Sequence, residues 1–226
     1  MRVQAVCFDY GGTLDGEGSH WLVRFLHCYE DAGVRLPFER FRDAFDYATH
    51  CGYADPRVSG LDLQALIEFH VARQMERLGV EDLRVAARVV TAFVHASRSA
   101  LEDSRVVLER LHRRVALGVV SNFYGNVARV LRDAGVAPLL AAIVDSARVG
   151  VSKPNPAIFT LAVRRLGCEP GAALHVGDSF EKDIVGARAA GLRTAWLTGA
   201  GEGPCPAPEL VDIRLSRLAE LEAVVE

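Results

Sequence analysis

Lysine is almost missing from this chain. Of its 26 basic residues only two, Lys153 and Lys182, are lysines; arginine supplies the rest. Charge of one sign is missing as well. Twenty-nine acidic residues against those 26 leave a formal charge of −3, too balanced for a nucleic-acid footprint or a polybasic membrane patch. Cysteines are few, odd in number and scattered. Cys7, Cys28, Cys51, Cys168 and Cys205 form no C-x-x-C pair, which argues against a zinc site and predicts reduced thiols rather than a disulfide framework. No apolar run approaches the roughly 18 residues of a membrane helix. The apolar stretch 3–8 meets Asp9 at once, too short for a secretory leader. Repeats and low-complexity tracts are absent. What is present is 226 residues, half of them apolar and 8% aromatic. The expectation is a soluble globular chain of the cytoplasm, able to bury about 70–75% of its unfolded surface without staples.

Short β-rich runs at 3–8, 115–120, 141–144, 172–176 and 192–197, with a weaker one at 211–215, predict a strand each. Helical stripes separate the later ones. Val127, Val130 and Leu131 share a face that Gly135 ends, and Ile158, Leu161, Ala162 and Leu166 share another between Pro156 and Gly167. Phe180, Ile184 and Ala187 form a third, stopped by Gly191. Strands alternating with helices of this length predict an α/β fold, a parallel sheet covered on both faces. Residues 19–99 break the rhythm and read as helical. Ser19 is the expected cap of a helix carrying Trp21, Leu22, Phe25, Leu26 and Tyr29. Phe38, Phe41, Phe45 and Ala48 make a second stripe. Asp62 caps a third helix with Leu63, Leu66, Ile67, Val71 and Leu78, closed by Gly79. Val85, Val89, Val90, Phe93 and Val94 make the fourth. The expected division is a core of 1–18 plus 100–226 with a four-helix insertion at 19–99.

Parallel sheets bind ligands beyond the carboxyl ends of their strands, and four segments fall there. They are Asp9-Tyr10-Gly11-Gly12-Thr13-Leu14, Ser121-Asn122, Lys153 within 150–156, and Gly177-Asp178 running on to Asp183. Each alone reads as a cap or a turn. Together they place carboxylates, a hydroxyl and a rare lysine at one sheet edge. Carboxylates ligate a hard cation such as Mg²⁺, and one of them can attack phosphorus. Lysine and hydroxyl donors neutralise the transferring phosphoryl oxygens.

These four segments resemble, in order, the motifs of the haloacid dehalogenase superfamily, most of whose members are Mg²⁺-dependent phosphatases working through a phospho-aspartate. The likeness covers nearly the whole chain. It implies a Rossmann-like core with an inserted helical cap, and a small phosphorylated substrate rather than a nucleic acid or a membrane. By the same likeness Asp9 is the nucleophile and a metal ligand, and Asp178 and the Gly11 carbonyl complete the metal site. Asp183 supports the metal shell or the lysine. Ser121 and the Asn122 backbone hold phosphate, and Lys153 pairs the nucleophile and the phosphate. One position departs. Where the family's phosphatases carry a second aspartate as general acid and base, this chain has Gly11. Dehalogenase members share that loss but lack the Gly-Asp pattern kept around Asp178. Phosphonoacetaldehyde-hydrolase-like members need a cap lysine, and residues 15–110 contain none. Two readings remain: a slow or specialised phosphatase, or a phosphate-binding protein of this fold without efficient turnover.

Some residues invite stronger stories. His20, His27, His50, His70 and His95 lie in the insertion, yet no pair has the i, i+4 spacing of a helical metal site; packing or surface roles are expected, with His20 near enough to face the cleft. Asp15 and Glu17 are stand-in proton donors by position, and water-facing loop acids by default. His175 is expected to be a hydrogen-bonded core residue. Trp21 and the Phe38/Phe41/Phe45 stripe read first as packing. The segment 199–208 is a Gly/Pro loop without evident function.

Overall fold

The computed structural model describes residues 3–199 and 204–225; the 199–208 loop thus lies partly outside the described residues. Six parallel strands form one sheet: β1 (Ala5–Phe8), β2 (Ala116–Ser121), β3 (Ala142–Asp145), β4 (Ala173–Gly177), β5 (Arg193–Leu197) and β6 (Ile213–Leu215). Their order is β3-β2-β1-β4-β5-β6, so the chain order reverses on either side of β1. That is where a doubly wound sheet opens its binding crevice. Alternation along β1 sends Val6 and Phe8 into one core layer and Cys7 into another. All five cysteines are free thiols.

Four helices lie between β1 and β2: α1 (Trp21–Asp31), α2 (Phe38–Ala54), α3 (Leu63–Leu78) and α4 (Leu83–Leu111). The remaining helices are α5 (Val127–Asp133), α6 (Ser146–Val149), α7 (Pro156–Leu166) and α8 (Gly186–Ala189). α3 is capped by the Asp62 carboxylate, which accepts from the Ala65 N–H, and ends at Gly79 in the left-handed conformation, as its sequence predicts. The cap of α1 is different. His20, not Ser19, takes the position, its Nδ1 accepting from the Leu22 N–H at 3.2 Å. α4 runs unbroken for 29 residues, through the point where the sequence suggested a boundary. Its C-terminal half is tied to the loop after β1, where the Ser104 hydroxyl donates to the Leu14 carbonyl at 2.7 Å. The helix expected over 180–187 opens instead as a wide turn from Phe180 to Val185 before the single turn of α8. No helix among the described residues is long and apolar enough to cross a membrane.

Candidate active site

Register places the first, second and fourth motifs side by side. Phe8 is level with Val119 of β2 and Val176 of β4. Asp9, one residue beyond, therefore emerges between the ends of its two neighbours, about 4.8 Å to either side. Ser121 ends β2, and Asp178 follows β4. The Asp9 N–H extends the ladder by donating to the Val176 carbonyl at 2.9 Å.

Lys153, in the loop between α6 and α7, reaches this edge from the side. Its Nζ lies 2.7 Å from Asp9 Oδ1 and 2.6 Å from Asp183 Oδ1, with only 4% of the residue exposed. Burial pulls the lysine's pKa down, but Asp183 and Asp9 outweigh it and hold the pKa above its ordinary range. Asp183 is fully satisfied. Oδ1 also meets His175 Nε2 at 3.0 Å, and Oδ2 accepts from the Ser179 N–H at 3.0 Å. Burial pushes its pKa up, but Lys153 and His175 prevail and hold it well below the carboxylate range. His175 is thus the hydrogen-bonded core residue the sequence led us to expect, and it also buttresses the lysine through Asp183. Asn122 clasps the same loop: its amide nitrogen donates to the Lys153 carbonyl at 2.9 Å and its oxygen accepts from the Lys153 N–H at 2.8 Å.

Asp9 and Asp178 are differently placed. Burial drives the Asp9 pKa up more than Lys153 pulls it down. Asp178 is raised further, by burial and then by Asp9 and Asp183; its one side-chain hydrogen-bond partner among the described residues is the Thr13 hydroxyl at 3.0 Å. Oxygens of Asp9, Asp178 and Asp183 gather within 4.8 Å of one another, the one group among the described residues with ligand atoms spaced for a metal. One ammonium among two buried carboxylates and a third, half-buried one leaves the cluster short of positive charge. Asp183 has spent its oxygens, so Asp9 and Asp178 are the free carboxylate donors, and an all-oxygen set of this kind suits a small hard cation.

The two motif glycines differ in kind. Gly12 has φ +95°, and a Cβ there would lie 2.5 Å from Asp178 Oδ2, so glycine is required for the carboxylate to approach. Gly11 has an ordinary φ of −77°, and a Cβ there would meet only the Trp21 indole, at 3.5 Å and beyond. Neither the backbone nor crowding demands glycine at position 11.

Asp15 is neither a donor nor water-facing; it is completely buried. It accepts from the Gly12 N–H at 2.8 Å, the Trp21 indole N–H at 2.8 Å and the Ser97 hydroxyl at 3.2 Å, and pairs with Arg24 at 3.2 Å. Its carboxylate is consumed in tying the loop to α1 and α4. Glu17 is exposed and outside the cavity lining. His20 does line the cavity, but its Nδ1 accepts from the backbone, which fixes the proton on Nε2. Burial and then Lys182 lower its pKa. A neutral imidazole in that tautomer donates a hydrogen bond and serves neither as acid nor as base while the cap holds.

The cavity above Asp9 has a volume of about 520 Å³. Asp9, Gly11, Ser121, Asn122, Lys153, Asp178 and Asp183 all line it, so every candidate read from the sequence converges there. Both lysines of the chain do too, Lys182 from the exposed rim. The aromatic wall goes beyond the packing role that the sequence predicts for Trp21 and Phe45. Trp21 and Phe45 face the cavity with Tyr53, Phe123 and Tyr124, whereas Phe41 is buried and Phe38 is exposed. Thr49 separates Phe45 and Tyr53 at intervals of four, a helical stripe visible in the sequence but not set apart there from the packing stripe one residue away.

Residues 3–191 match the model of the haloacid dehalogenase-like hydrolases. Phosphoserine phosphatase of Thermus thermophilus is 35% identical over 124 residues, 53% of this chain and 50% of that protein, so the chain spans about half the length of that relative. N-acylneuraminate-9-phosphatase of Rattus norvegicus is 31% identical over 245 aligned positions, covering 100% of this chain and 94% of its own. The fold matches that of the hydrolase YfnB of Bacillus subtilis, solved bound to magnesium, with a TM-score of 0.61, 20% identity and full coverage of both chains. The chain belongs to the haloacid dehalogenase-like hydrolase family.

Proposed function

We propose that the chain is a Mg²⁺-dependent phosphatase of small phosphorylated molecules in the cytoplasm, with Asp9 as nucleophile. The observation that carries this reading is the state of Asp9: buried at the sheet edge, 2.7 Å from Lys153, and sharing with Asp178 a carboxylate cluster short of positive charge. Asp9, Asp178 and the Gly11 carbonyl would hold the ion. When bound, it supplies Lewis-acid polarisation of the phosphoryl oxygens and offsets the repulsion between the two carboxylates.

The chain's own groups do the rest. Lys153 neutralises charge on the phosphoryl oxygens and holds Asp9 in line, while Ser121 and the Asn122 N–H donate to the remaining oxygens. An Asp9 oxygen attacks phosphorus, and the ester P–O bond breaks with its electron pair going to the leaving oxygen. Water then attacks the aspartyl phosphate, the Asp9–phosphorus bond breaks, and the carboxylate is restored. Dihydrogen phosphate is released, and the proton it sheds balances the one taken up by the leaving group. With Gly11 in the acid's place, both proton transfers fall to solvent.

The test is Mg²⁺-dependent phosphate release from acetyl phosphate. The parent should release phosphate, and rapid quenching should trap protein heavier by one phosphoryl group. Asp9→Asn should do neither. Release that survives Asp9→Asn or a chelator would overturn the reading. Gly11 favours one rival, a phosphate-binding protein without turnover, which would bind inorganic phosphate yet release none from the substrate.

A further inference from the structure

We propose that the substrates are aryl phosphomonoesters, the phosphate seated at Asp9 and the ring of the leaving group held in the aromatic cavity beneath α1 and α2. This rests on the phosphatase reading and names its substrate class. Two independent features meet in it.

The first is the wall. Five residues of the insertion line the cavity: His20, Trp21, Phe45, Thr49 and Tyr53. Three carry aromatic rings, the indole of Trp21, the phenyl of Phe45 and the phenol of Tyr53, and Phe123 and Tyr124 face them from the end of β2. The rings already meet one another edge-on or tilted, Trp21 with Phe123 at 5.7 Å and Tyr53 with Tyr124 at 4.8 Å between centroids, the geometries that aromatic groups favour. The insertion's side of the wall is poor in what a polyanion would need: His20, Trp21, Phe45, Thr49 and Tyr53 include no lysine or arginine, and Lys182 reaches the cavity only from its exposed rim. No arginine lines it, despite the number in the chain. Lys153 serves Asp9, Asp183 and the phosphate seated there, which leaves it no role toward the rest of the substrate. Of the ring nitrogens of His20, only Nε2 is left to donate, because Nδ1 is committed to the Leu22 N–H.

The second is the proton. Asp15 is locked, Glu17 is exposed outside the cavity and His20 is held in the wrong tautomer, so none of the three stand-in donors protonates a departing oxygen. A phenol ionises near pH 10, as tyrosine does, against about 15.7 for water, which simple alcohols approximate. A phenolate therefore leaves with the P–O electron pair and takes its proton from water afterwards, whereas an alkoxide needs it during bond breaking. Gly11 is not imposed by its backbone or its neighbours, and the ring of Trp21 flanks the space an acid would occupy. One arrangement thus removes the donor and supplies a surface for a ring that does not need it.

The experiment separates ring from leaving group. Phenyl, benzyl, acetyl and ethyl phosphates carry both features, the ring alone, the good leaving group alone, and neither. With Mg²⁺ present, kcat/KM for phenyl phosphate should exceed that for acetyl phosphate and for benzyl phosphate at least tenfold each. Independently of turnover, calorimetry should show phenylphosphonate binding at least tenfold tighter than methylphosphonate. Tyr53→Ala, at a position already 49% exposed, and Phe45→Ala should each shrink that ratio without weakening methylphosphonate. Hydrolysis of all four esters without aryl preference, or equal binding of the two phosphonates, would overturn the substrate class and leave the phosphatase standing. If none of the four is hydrolysed, the phosphatase reading fails and the proposed substrate class fails with it, whatever the phosphonates show.

Discussion

The indole N–H of Trp21 donates to the carboxylate of Asp15 at 2.8 Å, a bond that joins the first turn of the inserted helices to the loop carrying Asp9. The same carboxylate accepts from the Gly12 N–H and meets Arg24, whose other nitrogen donates to Ser97 of α4. A single buried anion thus fixes the loop, α1 and α4 relative to one another.

Removing that anion should therefore cost both stability and alignment. Asp15→Ala leaves Arg24 without its counter-ion in a buried setting, a change that typically costs about 3–5 kcal/mol. Urea unfolding should show it as a lower midpoint with an unchanged slope. Trp21→Phe keeps the anion and its other partners and removes one charge-assisted hydrogen bond, for which about 1.5–3 kcal/mol is expected. Equal stability of Asp15→Ala and the parent would mean that the network contributes nothing.

Gly11 and Gly12 should respond oppositely to a side chain. Gly11→Asp should fold, since its Cβ meets nothing closer than 3.5 Å, and it should raise alkyl-phosphate turnover at least tenfold, within the 10²–10⁴-fold or so typical of a positioned acid. Gly12→Ala should abolish turnover, because its Cβ would stand 2.5 Å from Asp178 Oδ2 on a backbone of φ +95°. Steady-state rates on matched aryl and alkyl phosphates check both. Alkyl turnover unchanged in a folded Gly11→Asp would show that the missing acid does not limit the reaction.

These contrasts mark what the sequence could carry. Strand ends, motif order and the capped helix at Asp62 are local patterns of apolar period and turn residues, and they are realised. So is the convergence of Asp9, Ser121, Lys153 and Asp178, because parallel strands must bring their carboxyl ends to one edge. Asp15 was misread because its partners Arg24 and Ser97 come from other elements, and burial of a loop acid has no local signature. The His20 cap and the wide turn at Phe180 were missed for a similar reason. Ser19 and the 180–187 stripe satisfy the usual helical rules, and tertiary packing chose otherwise.

Lys153 binds phosphate in the proposed mechanism, but it is also structural. Lys153→Met leaves Asp9 and Asp183 without their shared ammonium, so it should weaken binding of inorganic phosphate and lower stability together, the latter by about 3–5 kcal/mol. Asn122→Ala, which loosens the Lys153 backbone without removing charge, should weaken phosphate binding with a smaller stability loss. Calorimetry and thermal unfolding on the two variants check this. A Lys153→Met protein as stable as the parent would contradict the burial of its charge pairs.

The last prediction concerns His70, enclosed by rings in the heart of the inserted helices. It is completely buried, stacks on Phe25 with centroids 6.0 Å apart, and meets Trp21 and Tyr124 at 5.8 and 5.4 Å. Neither ring nitrogen has a hydrogen-bond partner among the described residues. Burial lowers its pKa to about 4, against about 6.5 in an unfolded chain. Between those values the unfolded state binds the proton and the folded state does not, so stability rises with pH across the window. It is fully present above pH 6.5 and is lost as the pH falls toward 4, by about 3 kcal/mol at 1.36 kcal/mol per pKa unit. His70→Leu fills a similar volume with a side chain that cannot titrate and leaves no buried nitrogen unpaired. Urea unfolding of parent and variant between pH 4 and 7 should give diverging curves, the variant gaining on the parent as the pH falls. Parallel curves would show that His70 is hydrated or already charged in the folded protein.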